Sequence, residues 1–276
     1  MNVNVEADAS STAYLERPEG RIAYEVAGSG PFVVCAPGMG DLRSVYRFLT
    51  PPLVEAGFRV AVMDLRGHGD SDATFRDYDD VAAGTDMLAL ARYLGGPAVL
   101  VGNSMAAGAA AWAAAEDPGL VAGLVLLGPF VRNPPSNFAA TLAFRLALLR
   151  PWGPAALTAY YAKLYPGRKP ADLAAHQARI RENLRRPGHW RAFVATSHTS
   201  HRPVEARLGE IRAPALVVMG TRDPDFRDPA AEADFISSRL SAEVVMVDGA
   251  GHYPQAEYPE IVAPAVIRFL RRTFAR

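Results

Sequence analysis

At 276 residues, with 50% apolar and 21% charged side chains and 29 acidic groups against 29 basic ones, the chain has the composition of an ordinary globular protein large enough for a sizeable core. Zero net charge removes the basic excess that a phosphate-tracking surface carries, so no nucleic-acid partner is expected, and the stretch RENLRRPGHWR reads as solvated helix faces. The lone Cys35 cannot close an intramolecular disulfide, the first residues lack a basic-then-apolar leader, and no run reaches the roughly 18 apolar residues of a membrane span. The expectation is a cytoplasmic protein with no membrane partner.

In chain order, strands are expected over RIAYEVAG (21–28) and FVVCAPG (32–38), then one helix over SVYRFLTPPLVEAG (44–57) and a strand over RVAVMD (59–64). A helix near 79–94, the strand AVLV (98–101), a helix after Ser104 and the strand GLVLLG (123–128) continue the alternation. From about Phe130 to Arg207 the β-branched runs stop and helical periodicity broken by prolines takes over, which marks an insertion. The alternation returns with ALVVMG (215–220), a helix over 229–240, EVVMV (243–247) and a closing helix through IVAPAVIRFLRR (261–272). Strands alternating with helices predict a mostly parallel sheet covered on both faces.

The stretch GNSMAAG (102–108) places Ser104 where the strand AVLV turns into an alanine-rich helix. A sharp strand-to-helix turn exposes its central side chain above the sheet, and it needs small residues two positions either side; Gly102 and Ala106 occupy them. The Met105 amide would then lie at a helix N-terminus, where unpaired N–H groups favour negative charge. A serine hydroxyl needs a base, and the base needs a group to hold its tautomer. Both are offered just beyond later strands: His252 in DGAGHYPQAE, and Asp223, Asp225 and Asp228 in TRDPDFRDP. Asp223 is preferred as the orienting acid, Asp225 is the alternative, and Asp228 before Pro229 reads as a helix cap. The glycines of APGMG let backbone N–H groups turn inward, making Met39 a second oxyanion donor beside Met105.

Together these residues resemble the α/β-hydrolase superfamily over essentially the whole chain outside the insertion. The turn DLRGHGDSD (64–72) is similar to a segment that follows the fourth strand in that family, which gives His68 a structural role. Two departures stand out: Pro37-Gly38 where many members have His-Gly, and Ala106 in place of the second glycine of the serine turn. The resemblance implies an α/β-hydrolase fold, α/β class, with a mostly parallel eight-stranded sheet, a core of residues 1–129 and 208–276, and a helical cap over 130–207. It implies a serine hydrolase acting on an apolar small-molecule carboxylic ester or lactone through an acyl-enzyme, with Ser104 as nucleophile, His252 as base and Asp223 as orienting acid. The alternatives are a carbon–carbon bond hydrolase, an acyltransferase, or a ligand-sensing protein that keeps the site without turnover. Gly38, Phe130, Phe138, Phe144, Trp152, Tyr160 and Trp190 are the expected pocket residues, with Tyr161 and Phe193 further candidates. No cofactor and no metal are expected, because His198 and His201 in SHTSH lack carboxylate or cysteine company in the sequence. The sequence leaves the oligomeric state open.

Overall fold

The computed structural model describes residues 11–133, 143, 146–149 and 151–275; the expected pocket residues Phe138 and Phe144 lie outside them. Eight strands form one sheet in the order β1-β2-β4-β3-β5-β6-β7-β8. They are β1 Ala13–Arg17, β2 Gly20–Ala27, β3 Phe32–Ala36, β4 Arg59–Met63, β5 Ala98–Asn103, β6 Val121–Leu127, β7 Ala215–Gly220 and β8 Glu243–Val247. The β1–β2 and β2–β4 pairs are antiparallel and the remaining pairs parallel.

The central strands β3, β5 and β7 are buried at every position, as parallel strands must be when helices cover both faces. Alternate residues serve two separate cores. Val34, Ala36 and Leu100 pack on one face with helices α2 (Asp80–Tyr93) and α3 (Met105–Glu116), while Val33, Cys35, Val99 and Val101 face the other with the C-terminal helix Pro259–Phe274. The alanines of α3 have a geometric reason. A Cβ placed on Gly84 of α2 would stand 2.7 Å from the Ala109 carbonyl, so the two helices run too close for larger side chains.

Two expectations need correction. The single helix over 44–57 is divided into a 3₁₀ turn, Arg43–Phe48, and a short helix α1, Thr50–Glu55. Pro51 and Pro52 cannot donate a backbone N–H, which suits the start of a helix and not its middle. The first strand was not read from sequence at all: AYLER is five residues long, lies at the sheet edge and alternates only partly between exposed and buried.

Between β6 and β7 the described residues include the helices α4 Gly153–Lys163, α5 Leu173–Arg185, α6 His189–Thr196 and the short α7 Arg202–Glu205. Side chains bolt them to the sheet's carboxyl edge. Asp41, after β3, accepts from Tyr161 of α4 at 2.7 Å and pairs with His176 of α5 at 2.6 Å, with Asp41 and His176 fully buried. Arg47 reaches Asp172 through two bonds of 2.6 and 2.7 Å.

Candidate active site

Ser104 has φ 58° and ψ −124°, a conformation that side chains other than hydrogen rarely adopt. The surroundings enforce it: Ser104 N donates to Leu127 O of β6 at 2.9 Å, and the Ser104 carbonyl accepts from Ala107 N at 3.0 Å and Phe130 N at 3.2 Å. Strand and helix then pass so closely that a Cβ on Gly102 would lie 2.2 Å from the Ala106 carbonyl oxygen. Ala106 itself is fully buried, so the methyl that departs from the family's glycine fits the core. A Cβ on Gly38 would lie 2.8 Å from the Ser104 Cβ, which explains a glycine there although Gly38 does not line the cavity.

His252 follows β8 and Asp223 follows β7. His252 Nδ1 stands 2.7 Å from Asp223 Oδ2 and 3.6 Å from Asp225 Oδ2. The other Asp223 oxygen, Oδ1, accepts from Asp225 N at 3.0 Å, while Asp225 receives the Tyr160 hydroxyl. Of the two acids left open by the sequence, Asp223 holds the imidazole and Asp225 stands behind it. Asp228 accepts from Ala231 N at 3.0 Å and caps the helix Pro229–Leu240. Burial disfavours a charged imidazole, but the carboxylates of Asp223 and Asp225 outweigh it and push His252 up to about 9.

Three residues that sequence reasoning missed hold this pair in place. Asn103 Nδ2 donates to the His252 carbonyl at 3.2 Å and to Leu127 O at 3.0 Å, joining the serine turn to the histidine loop. Glu257 accepts from Gly251 N at 2.6 Å and from Gly167 N at 2.9 Å, fixing the same loop against the segment that follows α4. Gly128, at φ 51°, sits where a Cβ would come 3.1 Å from His252 Nδ1. Asn103 and Gly128 carry no spacing signal, because the histidine they meet is more than a hundred residues away, and Glu257 joins its neighbour Gly251 to the distant Gly167.

Ser104 and His252 share the wall of a cavity of about 970 Å³, together with Met39, Met105, Phe130, Tyr160, Tyr161 and Phe193. Their side chains are not hydrogen-bonded to each other in this structure, a bond that in unliganded sites often tightens only around substrate. Among the described residues neither Met39 N–H nor Met105 N–H finds an acceptor. Besides Gly38, two more expected pocket residues fall elsewhere. Trp152 is 54% exposed, and Trp190 packs on Phe193 over Gly153, where a Cβ would meet its ring at 2.4 Å.

His68 lies behind the Met39 loop. Its Nδ1–H donates to Arg66 O at 2.8 Å and its Nε2 accepts from Gly40 N at 3.0 Å, which fixes a neutral tautomer. Burial lowers its pKa in the same sense. Asp223, Asp225 and His252 also bring one ligand atom each within 4.8 Å, the spacing of a metal site. An Nδ1 that donates its proton to Asp223 has no lone pair to give a metal, so the cluster is suited to orienting an imidazole.

A model of the alpha/beta hydrolase family matches residues 33–265. The chain belongs to this family. It is similar, at 29% identity over 97% of its length and 99% of the relative's, to a 2-(acetamidomethylene)succinate hydrolase of Mesorhizobium japonicum. It is 28% identical, over 98% of both chains, to a 2-hydroxy-6-oxononadienedioate/2-hydroxy-6-oxononatrienedioate hydrolase of Paraburkholderia xenovorans. Among solved structures, a putative aryl esterase from Burkholderia cenocepacia superposes with a TM-score of 0.82 at 19% identity, covering 96% of this chain and all of the other, a likeness of fold. Among the described residues no helix of this alpha/beta hydrolase is long and apolar enough to cross a membrane.

Proposed function

We propose that this hydrolase cleaves a small-molecule carboxylic ester or lactone through an acyl-enzyme, with Ser104 as nucleophile, His252 as general base and Asp223 as orienting acid. The observation that carries this reading is the strained Ser104 on the wall of the cavity that His252 also lines, with His252 Nδ1 held 2.7 Å from Asp223. With Nδ1–H committed to Asp223, Nε2 carries the lone pair that takes the serine proton. The alkoxide adds to the ester carbonyl, and the Met39 and Met105 N–H groups receive the resulting oxyanion. His252 then protonates the leaving alcohol and activates the water that releases the acid. The helices between β6 and β7 act as a cap that keeps bulk water from the acyl-enzyme. Intact-mass measurement after fluorophosphonate treatment tests the nucleophile: one adduct on the wild type and none on Ser104→Ala supports it, and an adduct retained on Ser104→Ala overturns it.

The curated relatives favour a second reading, in which the same residues cleave something other than an ester. Their names describe hydrolases of an acetamidomethylene succinate and of oxo-dienedioates. Product analysis separates the two, since an ester yields an alcohol and an acid whereas carbon–carbon cleavage does not.

Only neutral imidazole accepts the serine proton, so kcat/KM rises with pH through the ionisation of His252. The two carboxylates push that ionisation up to about 9, and the acid limb is expected alkaline of an ordinary histidine near 6.5. A logarithmic plot of kcat/KM that is flat between about pH 5 and 8 overturns His252 as the base.

His68 acts through the loop it holds. Removing its ring in His68→Ala leaves the Gly40 N–H unpartnered and loosens the neighbouring Met39 amide. The expected outcome is a fall in kcat of up to about 10² with KM little changed, since an oxyanion donor acts on the transition state. Steady-state kinetics check it, and a fall in affinity alone would count against the donor role of Met39.

A further inference from the structure

A second histidine paired with a carboxylate, His201, lines the same cavity. His201 Nδ1 stands 2.7 Å from Asp80 Oδ2, and the backbone N–H of His201 donates to Asn133 Oδ1 at 2.8 Å. Asp80 opens helix α2 and is fully buried; its other oxygen, Oδ1, has no hydrogen-bond partner among the described residues. Burial raises the Asp80 pKa, so the short contact between Oδ2 and the imidazole Nδ1 is a place to hold a shared proton. With a proton held in that contact, on Oδ2 or on Nδ1, Nε2 carries an N–H; it makes no hydrogen bond to a described residue, on a ring that lines the cavity.

The ring is placed relative to the chemistry by Phe130. Its phenyl group lies 5.8 Å from the His201 ring and 5.9 Å from the His252 ring, centroid to centroid, so one aromatic side chain packs near both imidazoles. The cavity is correspondingly two-sided. Leu148, Leu157, Leu164 and Phe193 line it together with the charged Lys163 and Asp225, whereas in 197–201, after α6, the Ser197 and Thr199 hydroxyls donate to backbone carbonyls and His198, Ser200 and His201 are the polar side chains left to face it. An apolar chain terminated by an anion fits that division.

We propose that His201, held by Asp80, is the carboxylate-binding residue of this cavity, and that the natural substrate carries a carboxylate remote from its scissile carbonyl. The proposal deepens the ester-hydrolase reading and rests on it for the placement of the scissile group. Its selectivity comes from one charge-assisted hydrogen bond, Nε2–H to carboxylate, on a residue that is itself 9% exposed.

The test is equilibrium binding by calorimetry to Ser104→Ala, which needs no turnover. Monomethyl succinate, glutarate and adipate, each a monoanion, are compared with the corresponding dimethyl esters. The expected result is a monoanion bound at least about tenfold tighter than its diester for one chain length, the scale of one charge-assisted hydrogen bond. Adding His201→Gln, or Asp80→Asn as the second variant, is expected to reduce that ratio to under about threefold while diester affinity holds within about threefold. Equal affinity for both ligand series in Ser104→Ala overturns the proposal, and so does an equal loss for both in the two second-site variants, which is what a merely structural pair would produce. Failure of the ester-hydrolase reading has a different signature: a fluorophosphonate adduct that does not depend on Ser104, whatever the binding ratio.

Discussion

Ser104→Ala is expected to lower kcat by about 10⁶ on any ester the wild type turns over, leaving only the contribution of binding and of the oxyanion donors. The size follows from the arrangement. His252 and Asp223 have no proton to move once the hydroxyl is gone, and a water in the hydroxyl's place is not held by the turn. Fold stability should change little, because alanine keeps the Cβ and inherits the same φ of 58°. Steady-state and burst kinetics on an activated ester, read alongside a thermal melt, separate loss of chemistry from loss of fold. Activity within tenfold of the wild type at an unchanged melting temperature would remove Ser104 from the mechanism.

Asp223→Asn is expected to cost about 10⁴ in kcat, because an amide can hold the imidazole in the tautomer that has no lone pair facing the serine. Asp225→Asn is expected to act differently. Its carboxylate lies 3.6 Å from His252 Nδ1 and contributes to the raised pKa without making the short contact. Removing that charge should shift the acid limb of kcat/KM to lower pH while leaving maximal kcat within about tenfold, since the tautomer stays fixed by Asp223. If the two variants exchange behaviour, the orienting acid is Asp225.

The two acids illustrate how far local sequence reaches. Both follow β7 within five residues, and sequence spacing ranks them only by distance from the strand end. The bond chosen depends on how β7 and β8 are registered side by side, and on the Asp225 N–H that turns back to Asp223. Likewise the aromatic residues of the insertion could be named but not aimed. Tyr160 and Phe130 line the cavity, whereas Trp152 points outward and Trp190 fills the space above Gly153, because helix rotation and not composition sets direction.

The most informative miss is the second use of histidine. His198 and His201 form a spaced pair in sequence, yet the partner of His201 is Asp80, 121 residues earlier. His176 found Asp41 across 135 residues in the same way. Neither pairing leaves a trace in local periodicity.

What the sequence determined on its own is whatever depends on neighbours along the chain: the alternation of strand and helix, the small residues flanking Ser104, and the cap at Asp228. These are set by sterics and hydrogen bonds within a few residues. What only the tertiary structure decided is the choice among side chains that meet across the sheet and the insertion. Such contacts are selected by the packing of whole elements, and the free energy that selects them exists only once those elements have come together.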